Sequence, residues 1–177
     1  IGKERVEVTR RSFPLSHKKE DTFLAGLSMG GYGAIVNGLK YFDTFGYIAG
    51  LSSGFILDTV EHSTEAVTMI TRRRSYYESV FGDLTKLRGS DKDYFHLAKV
   101  CPKEKRPHVF LTCGTEDFLL DANVEYHRYL QNLGYDVTWT SDKGGHEWDY
   151  WDRHIHEVLQ WLPLEKEHKG TNSGNVK

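Results

Sequence analysis

Thr22-Phe23-Leu24-Ala25-Gly26-Leu27-Ser28-Met29-Gly30-Gly31-Tyr32-Gly33-Ala34 decides the fold. Thr22–Leu27 is a short apolar run, the signature of a buried strand. Directly after Ser28 the apolar period changes: Tyr32, Ile35, Val36 and Leu39 fall on one face of a helix spanning 29–40. Between them lies Gly26-Leu27-Ser28-Met29-Gly30, a G-x-S-x-G. A strand–turn–helix around such a motif is the setting of a nucleophile elbow, in which the serine takes a strained backbone conformation. Glycines two before and two after leave room for the tight crossing, and Gly31 and Gly33 let the helix approach the sheet. The Ser28 hydroxyl then projects at a helix N-terminus, where the dipole favours developing negative charge. The Met29 N–H is placed to bind an oxyanion.

Three more apolar runs, Gly46–Leu51, His108–Cys113 and Asp136–Thr140, read as parallel strands. Helical patterns alternate with them. Residues 122–133 align Ala122, Tyr126, Tyr129, Leu130 and Leu133, with Asp121 as N-cap and Gly134 as the closing glycine. Residues 147–162 align Trp148, Trp151, Ile155, Val158 and Leu162 before Pro163. The alternation predicts an α/β fold: a mostly parallel sheet with helices on both faces. Residues 1–164 form this core, interrupted by a helical insertion at about 53–106 that reads as a cap over the strand ends. Residues 165–177 read as a polar, frayed tail.

The 177 residues suit one domain; 23 basic against 25 acidic residues leave a net charge of −2, so nothing points to nucleic acid or an anionic membrane as partner. No apolar run nears the ~20 residues of a membrane span. Cys101 and Cys113 are too few for a disulfide framework and read as reduced core residues.

A nucleophilic serine needs a base and a group that orients it. Gly114-Thr115-Glu116-Asp117 follows the third strand and Gly144-Gly145-His146 the fourth, both at carboxyl ends, where open α/β sheets build their sites. Asp117 is the candidate acid, with Glu116 adjacent and Asp121 near. His146 is the candidate base among nine histidines; His154 and His156 lie off the apolar stripe of the last helix and read as solvated. His146-Glu147 is not a zinc motif, because Tyr150 stands where H-E-x-x-H needs histidine.

Gly26–Ala34, Cys113-Gly114-Thr115-Glu116-Asp117-Phe118-Leu119 and His146-Glu147-Trp148 together resemble the esterase D-like group of α/β-hydrolases, in look most of all bacterial tributyrin esterases. Acetyl and feruloyl esterases and S-formylglutathione hydrolases are wider relatives. The resemblance runs from about residue 4 to 163. It implies a Ser28–Asp117–His146 triad acting on short-chain carboxylic esters, with no metal or organic cofactor and a small-molecule ester as partner. Acyl transfer, thioester hydrolysis and a non-catalytic binding module are the alternatives. Phe55, Tyr76 and Tyr77 of the insertion, and Trp148, are candidate substrate contacts, with packing the competing reading for each. Against the family pattern only about 21 residues precede the nucleophile strand, Glu4–Phe13 matches the helix before it, and no oxyanion loop lies upstream. The expectation is the C-terminal part of a longer enzyme, lacking N-terminal strands and one oxyanion donor and poorly active by itself. The first strand then becomes a bare edge open to self-association into a homo-oligomer. A cytoplasmic location is the default expectation, since any signal would precede Ile1.

Overall fold

The computed structural model describes residues 2–164. The reading of 165–177 as a frayed tail lies outside the described residues. Four strands, β1 (Phe23–Leu27), β2 (Tyr47–Leu51), β3 (His108–Thr112) and β4 (Val137–Thr140), form one parallel sheet in the order β1-β2-β3-β4. Each expected strand is present, one residue shorter at one end or the other. Hydrogen bonds from the Gly46 N–H to the Thr22 carbonyl (3.0 Å) and from the Val109 N–H to the Asp136 carbonyl (3.0 Å) carry the ladder past the strand starts. The register ends on a shared rung: Leu27, Leu51, Thr112 and Thr140 stand side by side.

Among the described residues seven α-helices connect and flank the strands: α1 (Glu4–Ser12), α2 (Met29–Lys40), α3 (Leu57–Glu61), α4 (Arg74–Phe81), α5 (Tyr94–Val100), α6 (Leu120–Asn132) and α7 (Trp148–Trp161). Because strand side chains alternate, the sheet offers two faces. Ile48, Val109 and Leu111 point into the larger core with Ile35 and Leu39 of α2, Leu97 of α5, and Tyr126 and Leu130 of α6. Ala49, Leu51 and Phe110 point the other way, against Tyr150, Trp151 and Val158 of α7. Ile35, Ile48, Leu111 and Leu130 are completely buried, each contributing roughly 1.5–3 kcal/mol of hydrophobic stabilisation.

Three local expectations change. Asp121 does not cap α6. Leu119 holds the cap position, and the carboxylate that accepts its N–H belongs to Asp117 (2.9 Å). Gly134, at φ 76°, does close the helix. The insertion is not wholly a cap either: α5 lies in the core layer, its Tyr94 and Ala98 carbonyls accepting the Tyr126 (3.2 Å) and Tyr135 (2.8 Å) hydroxyls. On α7 the buried face is Tyr150, Trp151, His154 and Val158, while Trp148 turns outward. Cys101 and Cys113 are free and buried. No described helix is long and apolar enough to cross a membrane.

Candidate active site

The turn from β1 into α2 has the backbone that its sequence predicts. Ser28 sits at φ 52°, ψ −119°, outside the regions that a serine ordinarily adopts, which costs of order 1–3 kcal/mol. Hydrogen bonds on both sides hold it there: the Ser28 N–H donates to the Leu51 carbonyl and the Gly54 N–H to the Ser28 carbonyl, each at 2.8 Å. Gly26 is required by the crossing, because a Cβ there would fall on the Gly30 carbonyl. The Met29 N–H is one of the four that a helix start leaves without an intrahelical acceptor.

Strand spacing of ~4.8 Å puts β4 about 14 Å from β1, too far for one side chain to reach. The loop after β4 therefore leans back over the end of β3. The Thr115 N–H donates to the Asp142 carbonyl and the Glu116 N–H to the Gly144 carbonyl, both at 2.9 Å. The Ser141 hydroxyl donates to the Cys113 carbonyl at 2.7 Å. Gly114 permits this contact, since its Cβ would strike Gly144. The result is a continuous chain of groups. His146 Nδ1 lies 2.9 Å from Asp117 Oδ2, and His146 Nε2 lies 2.9 Å from Ser28 Oγ. The Asp117 side chain is fully buried, and the imidazole is 20% exposed. A proton on Nδ1 held by the carboxylate leaves the Nε2 lone pair facing the serine hydroxyl.

The Esterase family model matches residues 2–162. The chain belongs to this esterase family. It is 42% identical over 164 residues to an acetyl esterase of Caldicellulosiruptor saccharolyticus, a match covering 92% of this chain and 62% of that protein. Among solved structures it is similar to two proteins of Staphylococcus aureus, each 28% identical. One is an S-formylglutathione hydrolase (TM-score 0.75, 90% of this chain and 61% of that one). The other is a fluorophosphonate-binding serine hydrolase (TM-score 0.77, 92% and 62%). The chain thus spans less than two thirds of the length of these relatives.

Around the imidazole, the chain places two aromatic rings. Trp151 meets His146 edge to face (centroids 4.8 Å, 90°), and Phe118 lies tilted at 4.8 Å. Phe118 and Trp148 are 73% and 72% exposed and form an apolar rim beside the imidazole; the Met29 side chain is exposed as well. Trp148 packs on Trp151 (5.4 Å, 85°) and stands over an apolar cleft lined by Ala25, Leu27, Leu51 and Ile155. Among the described residues no strand covers the free edge of β1, where this cleft opens. Beneath Asp117, burial and then the carboxylate's charge push the Cys113 thiol up to about 12. Among the described residues no group of three or more His, Cys, Asp or Glu side chains is disposed to hold a metal ion.

The structure brings Ser28, Asp117, His146 and the Met29 N–H together. Glu116 is exposed, facing Lys143 at 4.0 Å. Of the candidate substrate contacts, Trp148 lies at the rim, where its place on the helical stripe had suggested core. Phe55 and Tyr77 are core residues instead: Phe55 packs on Tyr94 and Tyr126, and Tyr77 is buried in the same cluster. Tyr76 is exposed on α4, with its ring against Tyr77. His154 is not solvated. It is 2% exposed, with Nε2 3.0 Å from Asp142 Oδ1 and Nδ1 3.1 Å from Glu157 Oε2. Sequence reasoning also missed Asn123, completely buried on α6. Its spacing from Leu119, Tyr126 and Leu130 marks it as a polar residue on a buried stripe.

Proposed function

We propose that this protein hydrolyses carboxylic esters with short acyl chains through an acyl-enzyme on Ser28. The observation that carries the reading is the chain Asp117–His146–Ser28, two hydrogen bonds of 2.9 Å ending on a serine held in an elbow. His146 Nε2 takes the hydroxyl proton as Ser28 Oγ bonds to the ester carbonyl carbon. Asp117 holds the Nδ1 proton and stabilises the imidazolium. The carbonyl oxygen, now negative, is met by the Met29 N–H at the positive end of α2. Collapse breaks the bond to the alkoxy oxygen, which leaves with the proton from Nε2. Water then attacks the acyl-enzyme by the same steps, its proton passing through His146 to Ser28 as the acid departs. The 42% identity to an acetyl esterase supports small acyl groups. The likeness to an S-formylglutathione hydrolase favours including thioesters among the substrates, since the acyl half-reaction is the same. We assign the exposed part of residues 53–106 around α4 to the wall of the acyl and alcohol pockets, with Tyr76 as its candidate contact.

The test is mass spectrometry of the chain after brief exposure to a fluorophosphonate, with Ser28→Ala alongside. The expected result is one adduct on Ser28, absent from the variant, followed by turnover that falls as the acyl chain of a p-nitrophenyl ester lengthens. A folded chain that takes no adduct would overturn the reading.

A further inference from the structure

Strand β2 contributes none of Ser28, Asp117 or His146, yet the three residues after it touch the support of all three. Gly54 donates its N–H to the Ser28 carbonyl (2.8 Å). Ser53 is gripped through its backbone by Asn123: its N–H donates to Asn123 Oδ1 (3.1 Å), and its carbonyl accepts from Asn123 Nδ2 (2.9 Å). The same Nδ2 donates to the Leu119 carbonyl (2.9 Å), and the Leu119 N–H donates to Asp117 Oδ1 (2.9 Å). Ser52 accepts the Trp151 indole N–H on its hydroxyl (3.1 Å), and that indole packs edge to face on His146.

Ser52 and Ser53 are both completely buried. Ser52 stands at φ 45°, a left-handed conformation that glycine would adopt without strain. If the turn served packing alone, glycine would relieve the strain and remove a buried hydroxyl. Serine instead supplies an acceptor for the indole N–H, at 3.1 Å.

We infer that the Ser52-Ser53-Gly54 turn is a positioning element for the Ser28–Asp117–His146 array, with Trp151 and Asn123 as its arms toward His146 and Asp117. The inference rests on the esterase reading above. Ser52 and Trp151 are positioning residues: they act through the His146 ring, setting its tilt so that Nε2 faces Ser28 Oγ while Nδ1 faces Asp117. A misplacement near 1 Å costs on the order of 10²-fold in rate.

The experiment compares wild type, Ser52→Ala, Ser52→Gly, Trp151→Phe and the Ser52→Ala/Trp151→Phe double variant. One readout is the limiting rate and half-saturation of fluorophosphonate labelling per folded molecule. The other is the low-field NMR line of the His146 Nδ1 proton, identified by its loss in His146→Gln. The expected result is a limiting rate lower by about 10- to 100-fold in each single variant, with half-saturation unchanged. The double variant is no slower than the slower single, because both act through one contact. The Nδ1 proton line shifts or broadens in each. Ser52→Gly relieves the strained backbone, so it keeps the test alive if Ser52→Ala fails to fold. Unchanged rates and an unchanged proton line, even with lowered melting temperatures, would overturn the inference and leave the esterase reading intact. A wild-type chain inert to the probe, whose proton line still responds to the variants, would overturn the esterase reading and keep the positioning role. Absence of both labelling and the proton line in wild type would overturn both.

Discussion

Two part-buried histidine–carboxylate contacts, one just before α7 and one within it, differ in what their second nitrogen meets. His146 has Asp117 on Nδ1 and the Ser28 hydroxyl on Nε2. His154 has a carboxylate on each side, Asp142 near Nε2 and Glu157 near Nδ1, with its ring over Tyr150 at 4.0 Å. The first has one nitrogen free to accept a proton from a nucleophile. The second has no nucleophile: its Nε2 bonds to Asp142, and its Nδ1, 3.1 Å from Glu157 Oε2, makes no hydrogen bond among the described residues. A histidine beside an aspartate is therefore not by itself a catalytic unit; the group on the second nitrogen decides what it can do. Location follows the same division. His146 lies at an opening rimmed by Phe118 and Trp148, whereas His154 is sealed under the loop that carries His146, which it ties down through Asp142.

The comparison can be broken most sharply at its catalytic end. His146→Ala should lower Ser28 labelling and ester turnover by roughly 10⁴- to 10⁶-fold while leaving the chain folded, as read by labelling kinetics and circular dichroism. Asp117→Asn comes next, with an expected loss of about 10⁴-fold in kcat. Asparagine can offer its carbonyl or its amide to Nδ1, and the wrong choice turns the imidazole proton toward Ser28. His154→Phe should reverse the pattern. We expect a stability loss of about 1–3 kcal/mol in urea melts, with labelling per folded molecule changed less than tenfold. A loss of labelling as large as that of Asp117→Asn would erase the distinction between the two histidines.

Cys113 sharpens the comparison from a third side, since it too lies beside Asp117. Its thiol is raised from 9 to about 12, first by burial and then by the carboxylate's charge. The folded state therefore holds this proton more tightly than the unfolded chain does. Below about pH 9 both states keep it and stability is unaffected. As pH rises from about 9 toward 12 the unfolded chain ionises first, so stability falls. Cys113→Ala should flatten this alkaline limb in urea melts read from pH 8 to 11. In the native protein, iodoacetamide should leave Cys113 unmodified at neutral pH and reach it only after denaturation, as read by mass spectrometry.

The readability of these features from sequence follows their physical origin. The elbow is local: a strand, a glycine-flanked serine and a helix within nineteen residues (22–40) leave little for distant contacts to decide, and α2 begins and ends at 29 and 40 as its periodicity predicts. Asp117 and His146 were legible because each follows a strand that ends in a glycine loop. The face of α7 was less so. Spacings of three and four run through Trp148, Trp151, Ile155 and Val158, but also through Tyr150, His154 and Val158, and only the position of the sheet chooses between them. Phe55 and Tyr77 show the same ambiguity: an aromatic in an insertion suits a pocket wall or a core equally until α5 and α6 close over it. The Ser52 turn carries no signal in its own letters. Its role exists only once Trp151 and Asn123, 99 and 70 residues away along the chain, have arrived beside Ser52 and Ser53.

The rung shared by Leu27, Leu51, Thr112 and Thr140 makes the chain a ruler with a common zero. Ser28 lies one residue past that zero, Asp117 five past Thr112, and His146 six past Thr140. These three offsets are short and closed by hydrogen bonds, so adding or removing one residue within 113–117 or 141–146 displaces an acid or a base. The connection from β2 to β3 carries no such offset beyond Gly54; Phe55, Leu57, Val60, Tyr77 and Leu84 along it are held by burial in the core rather than by a count from the rung. The stretch around α4 lies outside all three offsets, so a change of length there leaves the spacing of Ser28, Asp117 and His146 as it is.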